Sequence, residues 1–201
     1  MSAKAVFLDK DGTLIDDIPY NVNPDLIRLS MGALEALRLL QDYGYQLLIV
    51  TNQSGVARGY FREEQLQQVE ARLRELLSSA GVFLTGFYYC PHYPGGEVSQ
   101  YAVECTCRKP QAGMIYKAAL EHHLDLEATW LVGDILNDIE AGNRAGCQTV
   151  LVDNGHETEW DMTSIRQPTF MVKNLVEAAH MIVAEGPKRN LRYGEQEQRA
   201  N

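Results

Sequence analysis

The sequence predicts an α/β domain with a mainly parallel sheet sandwiched by helices. Two observations carry this expectation. Short apolar runs alternate with helix-period segments along the chain, and the runs end on polar residues, as strands do where an open sheet meets its ligand. The length of 201 residues suits one domain that can bury a full core without disulfides.

The elements follow in order. Ala5-Val6-Phe7-Leu8 is the first strand-like run and stops at Asp9. Leu34, Leu37 and Leu40 then recur at helical spacing. Gln46-Leu47-Leu48-Ile49-Val50 is the second run, ending at Thr51, and Leu66, Val69, Leu73, Leu76 and Leu77 mark an amphipathic helix after it. Cys90 to Pro110 is too rich in Cys, Pro and Gly for a helix or strand, so a loop with its own source of rigidity is expected. Thr129-Trp130-Leu131-Val132 leads into Gly133-Asp134, and Thr149-Val150-Leu151-Val152 into Asp153. Residues 1–184 are expected to form one domain without internal repeats, and residues 185–201, charged and poor in apolar groups, a mobile tail.

Composition narrows the partners. With 45% hydrophobic and 22% charged residues the chain is an ordinary soluble globular protein. A formal net charge of -9 argues against nucleic acid or an anionic membrane as partner. An anionic substrate would then need locally supplied cations. No run approaches the roughly 20 apolar residues of a membrane span, and the first ten residues lack a leader-like apolar stretch. A cytoplasmic, unprocessed chain is expected, monomeric because no heptad or long exposed apolar face is evident.

Four polar constellations sit at strand ends or in loops. In Asp9-Lys10-Asp11-Gly12-Thr13, carboxylates at i and i+2 repel unless a cation or proton lies between them. With a divalent metal one carboxylate can attack phosphorus while the other handles the leaving-group proton. Taken alone the segment is also an ordinary turn. Thr51-Asn52-Gln53-Ser54-Gly55 offers hydroxyl, amide and backbone N–H donors to phosphate oxygens; a helix-capping loop is the other reading, and is kept for Ser54. Arg108-Lys109-Pro110 brings two cations to a dianion, or is a solvated basic pair. Gly133-Asp134 with Asp138 adds a carboxylate suited to a hard metal, and for Asp138 a helix N-cap accounts equally well.

Jointly, the four motifs closely resemble the haloacid dehalogenase superfamily of phosphatases, in family order and over about two thirds of the chain. The resemblance implies a Rossmann-like magnesium-dependent phosphatase. In it Asp9 is nucleophile and magnesium ligand, and Asp11 is general acid and base, binding magnesium through its backbone carbonyl. Thr51 and Lys109 hold the transferring phosphoryl group, and Asp134 completes the metal site.

Cys90-Pro91-His92 and Cys105-Thr106-Cys107 supply four soft or borderline ligands in two close pairs, as in a closed tetrahedral zinc site. A disulfide is disfavoured in a reducing cytoplasm, and a bridge between Cys105 and Cys107 would be strained. Because Arg108 and Lys109 follow Cys107 directly, the zinc is expected to anchor the loop that presents them. Cys147 reads as core.

The zinc loop narrows the resemblance to a branch without a large cap domain. Within it, heptose 1,7-bisphosphate 7-phosphatases and histidinol-phosphate phosphatases share the CxH, CxC and RKP pattern. Asn52-Gln53-Ser54-Gly55-Val56-Ala57-Arg58-Gly59 looks like the heptose group. That likeness implies that Arg108 recognises the second phosphate or the sugar. It also implies that Asp17 to Tyr20, with Thr51, Asn52, Gln53 and Ser54, line the pocket, so the expected partner is a small phosphorylated sugar. Ile135 stands where some members carry a substrate-contacting Lys, and Ile18-Pro19 where a His-Gly pair is often seen. Histidinol phosphate or another small phosphomonoester is the alternative substrate, and a zinc-stabilised binding module without activity is the alternative class.

Overall fold

Ala5, Val6, Phe7 and Leu8 are fully buried, as a central strand of a parallel sheet covered on both faces requires. In the computed structural model, which describes residues 3–186, they form β1 (Ala5–Leu8). The chain continues through α1 (Ala33–Asp42), β2 (Gln46–Asn52), α2 (Gln65–Ser78), β3 (Leu84–Cys90), α3 (Gly113–His122), β4 (Trp130–Gly133), α4 (Leu136–Ala145), β5 (Gln148–Val152), β6 (Phe170–Val172) and α5 (Leu175–Glu185). The six strands form one sheet in the order β3-β2-β1-β4-β5-β6, and every neighbouring pair is parallel.

Alternate side chains of each strand feed opposite layers. Val6, Leu8, Leu47, Ile49, Trp130 and Val132 pack with α1, α2 and α5 through Leu37, Leu40, Val69, Leu73, Leu77 and Ile182. Phe7, Leu48, Val50 and Leu131 pack on the other face with Met114, Ile115 and Ala118 of α3 and Ala141 and Ala145 of α4. Cys147 belongs to this second layer, as core.

Four strands lie where the apolar runs place them, with shifted ends. β2 extends through Thr51 and Asn52, which pair with Tyr89 and Cys90, so Thr51 belongs to the strand's last residues rather than the loop. The edge strands β3 and β6 have no counterpart among the apolar runs. β3 is only partly buried and carries Gly86 as its third residue, and β6 has three residues. Glu185, expected to open the mobile tail, instead closes α5; from residue 187 onward that expectation lies outside the described residues. No helix among the described residues is long and apolar enough to cross a membrane.

The strand order reverses between β1 and β4, since β1 continues to β2 on one side while β4 leads to β5 on the other. Such a reversal opens a crevice at the carboxyl ends of the strands, where open α/β sheets bind ligands. Asp9 leaves β1 and Asp134 leaves β4 at this point.

Candidate active site

Asp9 extends the β1–β4 ladder by one bond, its N–H donating to the Val132 carbonyl at 2.9 Å, which fixes its buried carboxylate at the crevice floor. Gly12, at φ +81°, turns the chain back so that the Leu14 and Ile15 N–H groups reach the Lys10 carbonyl at 3.1 and 3.0 Å. On the other side of the crevice Gly133 leaves room for Asp138, whose side chain occupies the space a Cβ at 133 would need.

Lys109 is pinned by its backbone. Asn52 Oδ1 accepts from the Lys109 N–H and Asn52 Nδ2 donates to the Lys109 carbonyl, both at 3.0 Å. The buried ammonium then donates to the Val50 carbonyl at 2.9 Å and to Asp9 Oδ1 at 2.5 Å, and lies 2.5 Å from Asp138 Oδ1. The ammonium thus makes two hydrogen bonds and a third contact, with Asp138, that is an ion pair. Lys109 is therefore not half of a solvated basic pair. Asp138, fully buried, also takes the Ile135 N–H on Oδ2 at 3.4 Å. Its place is the first turn of α4, with Ile135 as the N-cap, so the N-cap reading of Asp138 is corrected.

Asp134 accepts from Thr13 Oγ1 at 3.2 Å on Oδ1, and its Oδ2 lies 2.5 Å from His156 Nδ1. The Asp11 carboxylate turns elsewhere, to Lys10 Nζ at 2.5 Å and Gln53 Nε2 at 3.0 Å. The same Gln53 nitrogen reaches Thr51 Oγ1 at 2.9 Å, linking two of the expected catalytic groups. Ser54 caps no helix: its carbonyl accepts the Arg58 N–H at 3.0 Å within a turn, and α2 begins later behind Glu64. Asp17 is exposed. Tyr20, at φ +55°, packs edge-on against Tyr60 at 4.7 Å.

One oxygen each from Asp9, Asp134 and Asp138 lies within 4.8 Å of the others. Burial pushes Asp9 up to about 7, with Asp138 and Asp11 adding to the rise and Lys109 opposing it. Burial and then Asp9 push Asp134 up to about 6 against the pull of His156. Burial alone would lower Lys109, but Asp138 and Asp9 outweigh it and hold the ammonium above its ordinary value. Three buried carboxylates close together, two of them paired with one lysine, are an excess of negative charge that a hard divalent cation offsets. The donor set therefore fits magnesium, which Asp9 and Asp134 would ligate with the lone pairs left beyond these contacts while Asp138 seats Lys109.

A pH dependence follows. A carboxyl raised by folding binds its proton more tightly in the native state, so without metal its contribution to stability falls as pH rises from the ordinary carboxylate range through about 7. Magnesium bound by these carboxylates would reverse that loss by replacing the protons. The rise in melting temperature on adding Mg2+ is expected to be larger at pH 8 than at pH 6, which thermal melts with and without chelator would read.

The second cluster forms from the end of β3 and the loop after it. Cys90 Sγ lies 3.5 Å from Cys105 Sγ and 3.1 Å from Cys107 Sγ, and the Cys105 and Cys107 sulfurs are 3.3 Å apart. His92 Nδ1 lies 3.6 Å from Cys90 and 3.3 Å from Cys107. These separations are too long for disulfides and slightly shorter than the roughly 3.8 Å edge that a tetrahedron with zinc–sulfur bonds of about 2.3 Å requires. Four ligands around one centre fit a structural zinc. The Arg108 N–H donates to Cys105 Sγ at 3.4 Å and its Nη1 to the His92 carbonyl at 3.3 Å, so the cluster holds the backbone from which Arg108 and Lys109 project. A Cys105→Ser, Cys107→Ser double variant is expected to lose zinc by metal analysis and to raise KM about tenfold or more before secondary structure is lost.

Sequence reasoning passed over Lys10, Asn154 and His156. Asn154 Nδ2 donates to the Gly12 carbonyl at 2.7 Å, and both Asn154 and His156 follow Asp153, a strand exit already visible in the apolar pattern. That position was the available signal.

Comparison with known proteins shows the family. A family model described as HAD-hydrolase-like matches residues 106–178. A D-glycero-beta-D-manno-heptose-1,7-bisphosphate 7-phosphatase of Haemophilus ducreyi is 48% identical over 157 residues, 77% of this chain and 86% of its own. A D-glycero-alpha-D-manno-heptose-1,7-bisphosphate 7-phosphatase of Photorhabdus laumondii is 36% identical over 177 residues, 87% of this chain and 97% of its own. The crystal structure of the D,D-heptose 1,7-bisphosphate phosphatase of B. bronchiseptica, complexed with magnesium and phosphate, superposes with a TM-score of 0.77 at 30% identity, covering 91% of this chain and 99% of that one. A buried Asp–Lys–Asp crevice at the sheet reversal, a cysteine–histidine cluster beside it and relatives that span most of the chain lead to one assignment: the chain belongs to the heptose-1,7-bisphosphate 7-phosphatase family of HAD-like phosphatases.

Proposed function

We propose that this chain removes the 7-phosphate of D-glycero-D-manno-heptose 1,7-bisphosphate, passing the phosphoryl group to Asp9 and then to water. The observation that carries the reading is the 2.5 Å contact between Lys109 Nζ and Asp9 Oδ1 in a buried crevice that also holds Asp134. An oxygen of Asp9 attacks phosphorus in line, and the departing sugar oxygen takes its proton from Asp11. Asp11 then accepts a proton from water as that water attacks the phosphorus of the aspartyl phosphate, releasing phosphate and restoring Asp9. Lys109, the Thr51 hydroxyl and the N–H groups of the following loop bind the equatorial oxygens, on which the charge of the transition state is spread. Magnesium, held by Asp9, Asp134 and the Asp11 carbonyl, supplies further charge neutralisation when bound.

Arg108 is assigned to the phosphate that stays on the sugar, with Asn52, Gln53, Ser54, Asp17 and Tyr20 around the sugar. The Arg108 guanidinium lies over the Tyr93 ring, 5.3 Å from its centroid, which limits its freedom and supports the assignment. The proposed setting is the cytoplasm, where zinc-binding thiols stay reduced. There the chain acts as a monomer in the supply of activated heptose for lipopolysaccharide.

Phosphate release is to be measured on both anomers of the heptose bisphosphate, histidinol phosphate and other small phosphomonoesters, with magnesium and with chelator. The bisphosphate is expected to lead in kcat/KM by about 100-fold or more, and the β anomer to be preferred, as supported by the 48% identical relative. A preference for histidinol phosphate would overturn the substrate assignment.

A further inference from the structure

The loop after β5 reaches back to the nucleophile loop through Asn154, which also braces the loop's own His156. Asn154 Nδ2 donates to the Gly12 carbonyl at 2.7 Å, and Asn154 Oδ1 accepts the His156 N–H at 3.2 Å. This brace sets the His156 ring 2.5 Å from Asp134 Oδ2. Any Cβ at position 12 would collide with both Asp134 Oδ2 and His156 Nδ1, so the contact depends on glycine there.

We propose that His156 is a positioning residue of the metal site, holding Asp134 in the orientation that ligates the divalent cation. The inference rests on Asp134 being a metal ligand, as above. An ionised carboxylate only accepts hydrogen bonds, so Nδ1 is the donor and the ring's polarity is fixed. A ligand carboxylate must keep one oxygen on the metal while the group as a whole resists rotation, which partners behind it accomplish. Thr13 bonds Asp134 only at 3.2 Å, leaving His156 as the short contact. The Asp134 side chain is 5% exposed and that of His156 40%. The imidazole thus closes the solvent side of the carboxylate without itself being buried.

The test is calorimetric titration of Mg2+ into the zinc-loaded full chain without substrate, comparing wild type, His156→Ala and His156→Asn. Circular dichroism and zinc content check the fold. His156→Ala is expected to raise the Mg2+ Kd about 10- to 100-fold with zinc content unchanged, and His156→Asn, whose amide can donate near the Nδ1 position, to restore most of the affinity. If His156→Ala does not fold, His156→Phe keeps the ring volume without the donor and carries the same comparison. A Kd within twofold of wild type in the folded donorless variant overturns the role of His156 and leaves the metal site standing. Failure of the wild type itself to bind Mg2+ overturns both.

Discussion

Asp9→Asn should lose phosphate release by about 10⁴-fold or more in kcat. The amide keeps the shape of the carboxylate but has no anionic oxygen to attack phosphorus, so the covalent step has no replacement route in the crevice. The variant should nevertheless fold. Burial pushes the Asp9 carboxyl up to about 7, which means that at neutral pH the ionised group costs the metal-free protein stability. A neutral amide removes that cost, so the melting temperature without metal should hold or rise while activity disappears. Steady-state phosphate release and thermal melts on the same preparation separate the two effects. Equal, slow release by wild type and variant would leave the binding-module reading in place of the enzyme.

Lys109→Met should damage catalysis and stability together. The ammonium is buried and is the cation between Asp9 and Asp138, 2.5 Å from each. Removing it strips a donor from the transferring phosphoryl group, for a loss of about 10³-fold in kcat. It also leaves buried carboxylates without their partner, which costs about 3–5 kcal/mol, or roughly 6–20 °C in melting temperature for a domain of this size. The sign with pH is fixed by the same groups. Burial raises both Asp9 and Asp138; with Asp9 pushed up to about 7, acidification from pH 7 towards pH 5 protonates it, and the deficit of Lys109→Met relative to wild type should shrink. A deficit in stability that does not change over that range would contradict the ion-pair account.

The parts of the fold legible in the sequence are those whose burial is continuous. β1, β2, β4 and β5 are apolar nearly throughout because both faces are covered. β3, with partly exposed Thr85, Phe87, Tyr88 and Tyr89, and the three-residue β6 are edge strands whose pairing comes from the neighbouring strand rather than from their own pattern. Asp9, Lys109 and Asp134 were visible because each belongs to a recognisable motif at a strand exit or in a loop, and the structure brings them together. Asp138 was ambiguous because its carboxylate does two jobs, bonding the first turn of α4 and seating Lys109, and only the second needs the tertiary fold. His156 carried no motif of its own, only its place after the β5 exit. A lone histidine after a strand is unremarkable until the sheet brings the end of β5 beside the Gly12 turn.

The central claim, that an Asp9 oxygen becomes covalently bonded to phosphorus, is most directly tested by trapping. The Asp11→Asn variant, impaired in releasing the intermediate, is mixed with heptose bisphosphate and magnesium, quenched in acid and reduced with borohydride, which converts an aspartyl phosphate to homoserine. Peptide mass spectrometry is expected to find homoserine at position 9, and none when substrate is omitted. Unmodified Asp9 alongside released phosphate, or homoserine at Asp134 or Asp138 instead, would contradict the account.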